Sequence, residues 1–503
     1  MKRLLACFLL AATLLSAASR PKLVLAIVID QFRYDYLTRF RGEYHGGFDN
    51  LLNSGAVFTN AHYEHFPTVT AVGHSTFLTG ATPSISGIIA NAWFDRAEGK
   101  SVTSVSDPAT QLLGAPGGRT GASPRRMLVD TVGDELKIAT GGKAHVLGIS
   151  LKDRAAILPA GHSADGAYWF DTVSGNFVSS SFYFPDLPGW VKDFDSSRPA
   201  DQYRGAVWLN HTMTTDLTKL YSDVDASPFG NELVERFAER ALEAEQLGRH
   251  ATTDLLALSF SSNDYVGHKV GPDSPDVHEM ALRTDRLLAK LFQALNKTVG
   301  MQNVLVILTA DHGVAPVPET NGARRMPGGR LPAGAVSQAI QAALAKKFGE
   351  GNWIANSAEY AVYLNLDLIA KKNLDRAEVT RTAAAAAREV PHVFRVYTRQ
   401  QLMSASFEDP VGRLVDNGFF PRRSPDLDVL LDPYWLFVPS GTSHGTTFDY
   451  DTHVPLIFMG PGIRSGRYNE NIFVNDVAPT LATMLDVETP AGSVGRVLTE
   501  ILP

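Results

Sequence analysis

The chain predicts an α/β fold in which a largely parallel central sheet lies between two helical layers, with inserted cap segments. Three observations carry this prediction. Leu23 to Ile29 is an unbroken aliphatic and β-branched run ending in Asp30, the pattern of a parallel strand covered on both faces. The same grammar returns at Asp254 to Phe260, which leads into Asp264, and at Val304 to Leu308, which leads into Asp311 and His312. Amphipathic helical patterns fit around these runs: Val277 to Leu295, with Met280, Leu287, Leu288 and Leu291 apolar, and Val474 to Leu485. Such alternation builds a layered α/β/α core.

Two segments read differently. Gly161 to Gly230 is rich in Ser, Asp, Pro and aromatics, and Gly322 to Ser440 holds its own helix candidates, Val336 to Phe348 and Arg376 to Val390. Both are expected to be insertions, at about 161–230 and 322–440, that cap a single domain spanning 21–503. The Ala-rich stretch Thr382 to Arg388 needs only helix propensity to explain it.

With 503 residues, 44% hydrophobic and 20% charged, the chain can bury a large core. Its formal net charge of -7 gives no broad basic surface for nucleic acid or an anionic membrane. Any phosphate must therefore be held by a local positive site. Met1-Lys2-Arg3, the apolar run Leu4 to Leu15 and Ser16-Ala17-Ala18 have the parts of a secretory signal peptide, 1–18, with cleavage expected after Ala18. The run is shorter than the roughly 20 residues of a spanning helix, so a periplasmic or secreted protein without a stable membrane anchor is expected. Cys7 is the only cysteine and lies inside that segment. A mature chain without it has neither cysteine catalysis nor cysteine-ligated zinc.

In open α/β sheets the ligand site lies beyond the carboxyl ends of the strands, so the acids that end these three runs should converge. Without thiolate, zinc takes His nitrogen and carboxylate oxygen. Asp264 and His268 stand four apart, Asp311 and His312 are adjacent, and His444 sits in the glycine-flanked Gly441-Thr-Ser-His-Gly445. Singly, each reads as well as a solvated turn or a structural hydrogen bond. Together Asp30, Asp264, His268, Asp311, His312 and His444 are enough to hold two metal ions.

A second group is Pro67-Thr-Val-Thr70, followed by Thr79-Gly80 and Gly87-Ile-Ile-Ala-Asn91. A hydroxyl where a loop becomes a helix meets the helix's positive end, which favours an alkoxide and phosphoryl oxygens. Thr68 or Thr70 could equally cap a helix. The sequence physics leaves both readings open.

In combination these motifs resemble the alkaline phosphatase superfamily. The threonine is similar to that of two branches, the nucleotide pyrophosphatase/phosphodiesterases and the periplasmic PafA-type alkaline phosphatases. The resemblance implies Thr70 as a nucleophile bound to one zinc with Asp30, Asp311 and His312, and a second zinc on Asp264, His268 and His444. It also implies that Asn91 donates to a phosphoryl oxygen. Lys152 and Arg154, in Ser150-Leu-Lys-Asp-Arg154 at the end of an expected strand, resemble the phosphate-binding cations of the PafA-type branch. They favour a monoesterase acting on small phosphate esters through a phosphothreonine. The alternatives are a phosphodiesterase or nucleotide pyrophosphatase on the same two-metal site, and a metal-dependent binding protein without turnover. Leaving-group preference and oligomeric state have no sequence signal here.

Overall fold

The computed structural model describes residues 20–404 and 407–503. The expected signal peptide, 1–18, with Cys7, lies outside the described residues. The main sheet runs in the order Gly466–Tyr468, Ala56–His62, His453–Met459, Val304–Thr309, Leu23–Ile29, Asp254–Phe260, Val146–Ser150, Gly166–Asp171, Asn176–Ser180, Ser106–Leu113, Thr120–Ala122. The five strands from Val304–Thr309 to Gly166–Asp171 are mutually parallel. The outer strands are mostly antiparallel.

Leu23–Ile29 and Asp254–Phe260 fall where the aliphatic runs place them, and the third strand continues one residue further, to Thr309. All three are buried along their whole length, which is why continuous apolar runs rather than alternation encode them. Leu23 pairs with both Asp254 and Val304. That shared register delivers Asp30, the residues after Phe260 and the residues after Thr309 to one edge of the sheet.

Helices Gly47–Ser54, Pro228–Ala244 and Pro275–Thr298 pack together as one layer. The last of them turns Val277, Met280, Leu287, Leu288, Leu291 and Leu295 inward. Helices Thr70–Thr79, Val132–Ala139, Asp153–Ala160 and Val477–Leu485 form the other layer. The late helix begins only at Val477, because Val474–Asp476 is a 3-10 turn. There the Asp476 carboxylate accepts from the Phe473 and Arg496 backbone N–H groups. Among the described residues, no helix is long and apolar enough to cross a membrane.

The two segments read as caps have different structures. Within 322–440 the chain forms a separate sheet ordered Ile354–Ala358, Ala361–Leu364, Leu427–Leu431, Val393–Thr398. Helices Ala335–Phe348 and Arg376–Arg388 share a core with it that includes Ile340, Leu344, Trp353, Val379 and Val429. The 161–230 segment departs from the cap reading. Its Gly166–Asp171 pairs in parallel with Val146–Ser150, and Asn176–Ser180 pairs next to it, so both extend the central sheet. Gly166–Asp171 is buried throughout, and its Tyr-Trp-Phe run is a core strand whose polar flanks disguise it.

Candidate active site

Asp30 extends the central ladder by one step, its N–H bonding to Phe260 O at 3.1 Å. Asp311 and His312 follow Val304–Thr309 directly. Asp264 and His268 lie beyond their strand on the helix Ser262–Val270, where a spacing of four puts both on one face. His444 comes from the loop after the cap sheet. Glycines permit this convergence: a Cβ on Gly267 would lie 1.8 Å from Gln31 Oε1, and one on Gly441, whose φ is +63°, would lie 2.1 Å from His268 O.

The acids and histidines of the sequence reading come together. Asp264, His268 and His444 offer ligand atoms within 4.8 Å of one another, as do Asp30, Asp264 and His312. Asp264 Oδ1 lies 3.1 Å from His268 Nε2 and 3.6 Å from His444 Nε2. His312 Nε2 is 3.5 Å from both Asp30 Oδ1 and Asp311 Oδ2. The two clusters adjoin, with the His312 and His444 rings stacked at 3.5 Å.

The histidines are oriented alike. Nδ1 of His268 donates to Thr442 O at 2.8 Å, that of His444 to Thr68 O at 2.8 Å, and that of His312 to Gly313 O at 2.9 Å. A carbonyl can only accept, so each Nδ1 carries the proton and each Nε2 turns a lone pair to the cluster in the neutral ring. Asp30 Oδ1, Asp311 Oδ2 and His312 Nε2 are buried and hydrogen-bonded to no described residue. Buried polar atoms left this way are costly unless something binds them. Their convergence with two oriented imidazoles fits a divalent metal pair.

The electrostatics agree. Burial, then the Asp311 carboxylate, pushes Asp30 well above the ordinary carboxylate value, against the pull of Lys152. Burial also opposes the Asp264 anion, but Lys152 and His268 hold it well below that value. Burial, reinforced by His312 and His268, holds His444 well below the usual imidazole value, hence neutral. Three carboxylates thus share one buried region.

Two of the residues implied by resemblance sit differently from the strand-end picture. The strand ends at Ser150; Lys152 is the N-cap of the helix Asp153–Ala160, and Arg154 lies in its first turn. Alternation along a strand therefore does not align the two cations. Lys152 is buried, with Nζ 2.7 Å from Asp30 Oδ2 and 2.6 Å from Asp264 Oδ2, so it reaches the candidate ligands themselves. Burial works against its charge, but Asp264 and Asp30 outweigh that and raise its pKa. Arg154 Nε is buried with no partner among the described residues, and its NH1 is 3.8 Å from Asp153.

Thr70 is the first residue of the buried helix Thr70–Thr79, whose N-cap is Val69 with no side-chain cap. The capping alternative thus finds no support for Thr70. Thr68 Oγ1 instead donates to Thr446 O at 2.8 Å. The Asn91 Oδ1 accepts from Ala71 N, the residue after Thr70, at 2.8 Å, which leaves its NH2 as the donor end of the amide.

The sequence reading missed Gln31 and His74. Gln31 holds the two clusters in register: its N–H bonds Asp311 Oδ1 at 3.1 Å and its Nε2 bonds Asp264 Oδ1 at 2.6 Å. It does so at φ +59°, a conformation uncommon for a residue with a side chain. The His74 Nδ1 donates to Thr70 O at 2.9 Å. A His four residues after Thr70 was a legible signal; a Gln after Asp30 was not.

Between the site and the cap sheet lies a cavity of about 340 Å³ reached by Asn91, His268, Ser443 and His444. From the cap side comes Asp428, buried, whose carboxyl is pushed up to about 8 by burial. An acid with a raised folded-state pKa keeps a proton that the unfolded chain releases, so it subtracts stability as pH rises from about 4 to about 8. Asp428→Asn is therefore expected to raise Tm at pH 9 by about 1–2 °C, a shift worth roughly 1 to 2 kcal/mol for a chain of this length. Little gain is expected at pH 4. Thermal unfolding at both values checks this, and an equal shift at the two would refute it.

A family model described as type I phosphodiesterase / nucleotide pyrophosphatase matches residues 24–453. The alkaline phosphatase PafA of Elizabethkingia meningoseptica is 37% identical, over 98% of this chain and 97% of its own length. The alkaline phosphatase PhoV of Synechococcus elongatus is 36% identical, over 96% and 93%. The crystal structure of wild-type PafA superposes with a TM-score of 0.90 at 36% identity, covering 97% of this chain and 100% of that one. The chain belongs to the type I phosphodiesterase / nucleotide pyrophosphatase family, in the alkaline phosphatase superfamily. Within it, the full-length similarity places this chain among the alkaline phosphatases.

Proposed function

We propose that the protein is a two-zinc phosphomonoesterase that works through a phosphothreonine at Thr70, in the periplasm or outside the cell. The observation that carries this reading is the convergence of Asp30 Oδ1, Asp311 Oδ2 and His312 Nε2, all buried and without a hydrogen-bond partner among the described residues, with the Asp264, His268 and His444 cluster. Asp264, His268 and His444 would hold one zinc; Asp30, Asp311 and His312, with Thr70, would hold the other. Bound there, the pair supplies Lewis acidity to the entering and leaving oxygens of an in-line displacement.

The chain's own groups do the rest. The Thr70 oxygen forms a bond to phosphorus as the bond to the leaving oxygen breaks, and water then cleaves the phosphothreonine and restores the hydroxyl. The Asn91 amide, fixed through Oδ1 by Ala71 N, donates from Nδ2 to a phosphoryl oxygen. Lys152 spends two ammonium protons on Asp30 and Asp264 and has a third for the phosphoryl group. The Arg154 guanidinium, with an unspent Nε–H, adds the second cation. A dianionic monoester suits this local positive charge better than a diester does.

Metal analysis tests the proposal. Zinc-loaded protein, dialysed and assayed by elemental analysis, is expected to retain two equivalents of zinc per chain and to hydrolyse an aryl phosphate monoester. His268→Ala should lose one of them, with metal affinity down by about 10- to 100-fold or more. Protein that turns over the ester at full rate while holding no metal would overturn it.

A further inference from the structure

The cavity beside the site carries more than a phosphate. It is lined on one side by Asn91, His268 and His444 and on another by the cap-sheet residues Ala358, Ala361 and Asp428. Its walls are Phe66, Ile89, Trp93, Phe94, Tyr360 and Tyr363. Phe66 meets Tyr360 edge-on at 5.0 Å, and Phe94 meets Tyr363 at 5.6 Å, so the wall is built of paired rings. A volume of about 340 Å³ falls at the small end of ligand pockets and suits one ring system.

The charge pattern is as informative as the shape. Among the described residues, no lysine or arginine lines the cavity, and its ionisable lining groups besides the histidines are the acids Glu359 and Asp428 and the two tyrosines. Two arginines touch the wall rings but are engaged elsewhere. Arg96 lies 5.1 Å over Tyr363 and bonds Asp426 Oδ2 at 2.6 Å, and Arg423 lies 5.2 Å over Trp93 and bonds the carbonyls of Arg126 and Gly87. The Asp428 carboxyl owes its shift to burial alone, without a charged partner. A second anion on a substrate's leaving group would enter an acid-flanked, aromatic chamber with nothing to pair it, a costly arrangement.

From this we infer that the cavity is the leaving-group subsite and that it selects phosphate monoesters of uncharged aryl or heteroaryl alcohols against esters whose leaving group carries a further anionic group. The inference rests on the monoesterase reading and adds the substrate class to it. Aromatic walls supply stacking and edge contacts to a flat ring, while the phosphoryl end stays with Asn91 and the cations.

Two substrates matched in size and similar in phenol acidity test it: 4-carbamoylphenyl phosphate and 4-carboxyphenyl phosphate. The zinc-loaded enzyme is expected to favour the uncharged amide by about tenfold or more in kcat/KM, since an anion moved from water into an aromatic cavity without a counter-charge loses hydration that nothing there replaces. Equal kcat/KM values, or a preference for the carboxylate, would overturn the subsite. A second readout is the ratio of kcat/KM for phenyl phosphate to that for ethyl phosphate: Tyr360→Ala should lower it by roughly tenfold and Tyr360→Phe should preserve it. An unchanged ratio in a Tyr360→Ala protein that melts normally counts against the aromatic wall. If neither monoester is turned over and methyl aryl diesters are, the monoesterase reading has failed. The same para-carbamoyl and para-carboxy pair, built as diesters, then decides the subsite by the same ratio.

Discussion

Thr70→Ala is expected to lower kcat/KM for an aryl phosphate monoester by about a thousandfold or more, the scale on which removal of an enzyme nucleophile acts. Thr70 begins a helix buried at every one of its residues, Thr70 to Thr79, so its position is set by packing and not by a mobile loop. Gly73 one turn on lies so close to Asp311 that a Cβ there would be 2.2 Å from Asp311 O, and His444 holds Thr68 O. The helix start is thereby pinned between the two candidate metal clusters. The Thr70→Ala protein should also fail to trap phosphate on the protein when a single turnover is quenched in acid. Thr70→Ser keeps a hydroxyl at that place and should stay within about a hundredfold of the starting activity. Thr68 is the control, because its hydroxyl is spent on Thr446 O. Losing that bond costs about 1 kcal/mol of stability and should leave the chemistry in place. Label found on Thr68, or near-normal turnover by Thr70→Ala, would move the nucleophile elsewhere.

The parts of this fold that were legible in the sequence are those in which one physical demand acts along the chain. Leu23–Ile29 is buried on both faces, so every position is apolar and the strand's ends are plain; Asp30 follows because only the strand's end can carry a charge. Asp264 and His268 were legible as a pair for the same reason: a spacing of four is one helical turn. What the sequence hid depends on side chains from distant segments. Gln31 matters because its amide and backbone bridge Asp264 and Asp311, a juxtaposition produced only by the register of the central sheet. Gly166–Asp171 was hidden because tyrosine, tryptophan and phenylalanine serve equally in a cap and in a core strand, and only its pairing with Val146–Ser150 distinguishes them. The cavity was hidden as well, since Phe66 and Phe94 meet Tyr360 and Tyr363 across hundreds of residues of chain.

Lys152 and Arg154 carry the second large expectation, because they decide between monoester and diester. A monoester brings a terminal phosphoryl group with nearly two negative charges, whereas a diester brings one and an organic substituent in place of an oxygen. In a site shielded from water, contacts from an ammonium and a planar guanidinium to that extra charge should be worth ~2 to 4 kcal/mol, if they strengthen in the transition state. The double substitution Lys152→Ala with Arg154→Ala is therefore expected to reduce monoester kcat/KM by roughly 30- to 1000-fold while methyl aryl diester turnover stays within several-fold. Lys152 has a second task that the experiment must separate. Its ammonium sits 2.7 Å from Asp30 and 2.6 Å from Asp264, so its removal also leaves two buried carboxylates without their cation and could alter metal affinity. Arg154 is free of this complication, as its recorded ion contact is the distant one to Asp153. Arg154→Ala alone, with zinc content unchanged, should thus narrow the monoester preference by about tenfold or more, and the double variant should narrow it further. The decisive quantity is the monoester-to-diester ratio of kcat/KM across wild type, Arg154→Ala and the double variant. Equal losses on both substrates, accompanied by lost zinc, would show that the cations serve the metal cluster and not the phosphoryl group. A wild-type enzyme that prefers the diester would assign the same nucleophile and ligands to a phosphodiesterase.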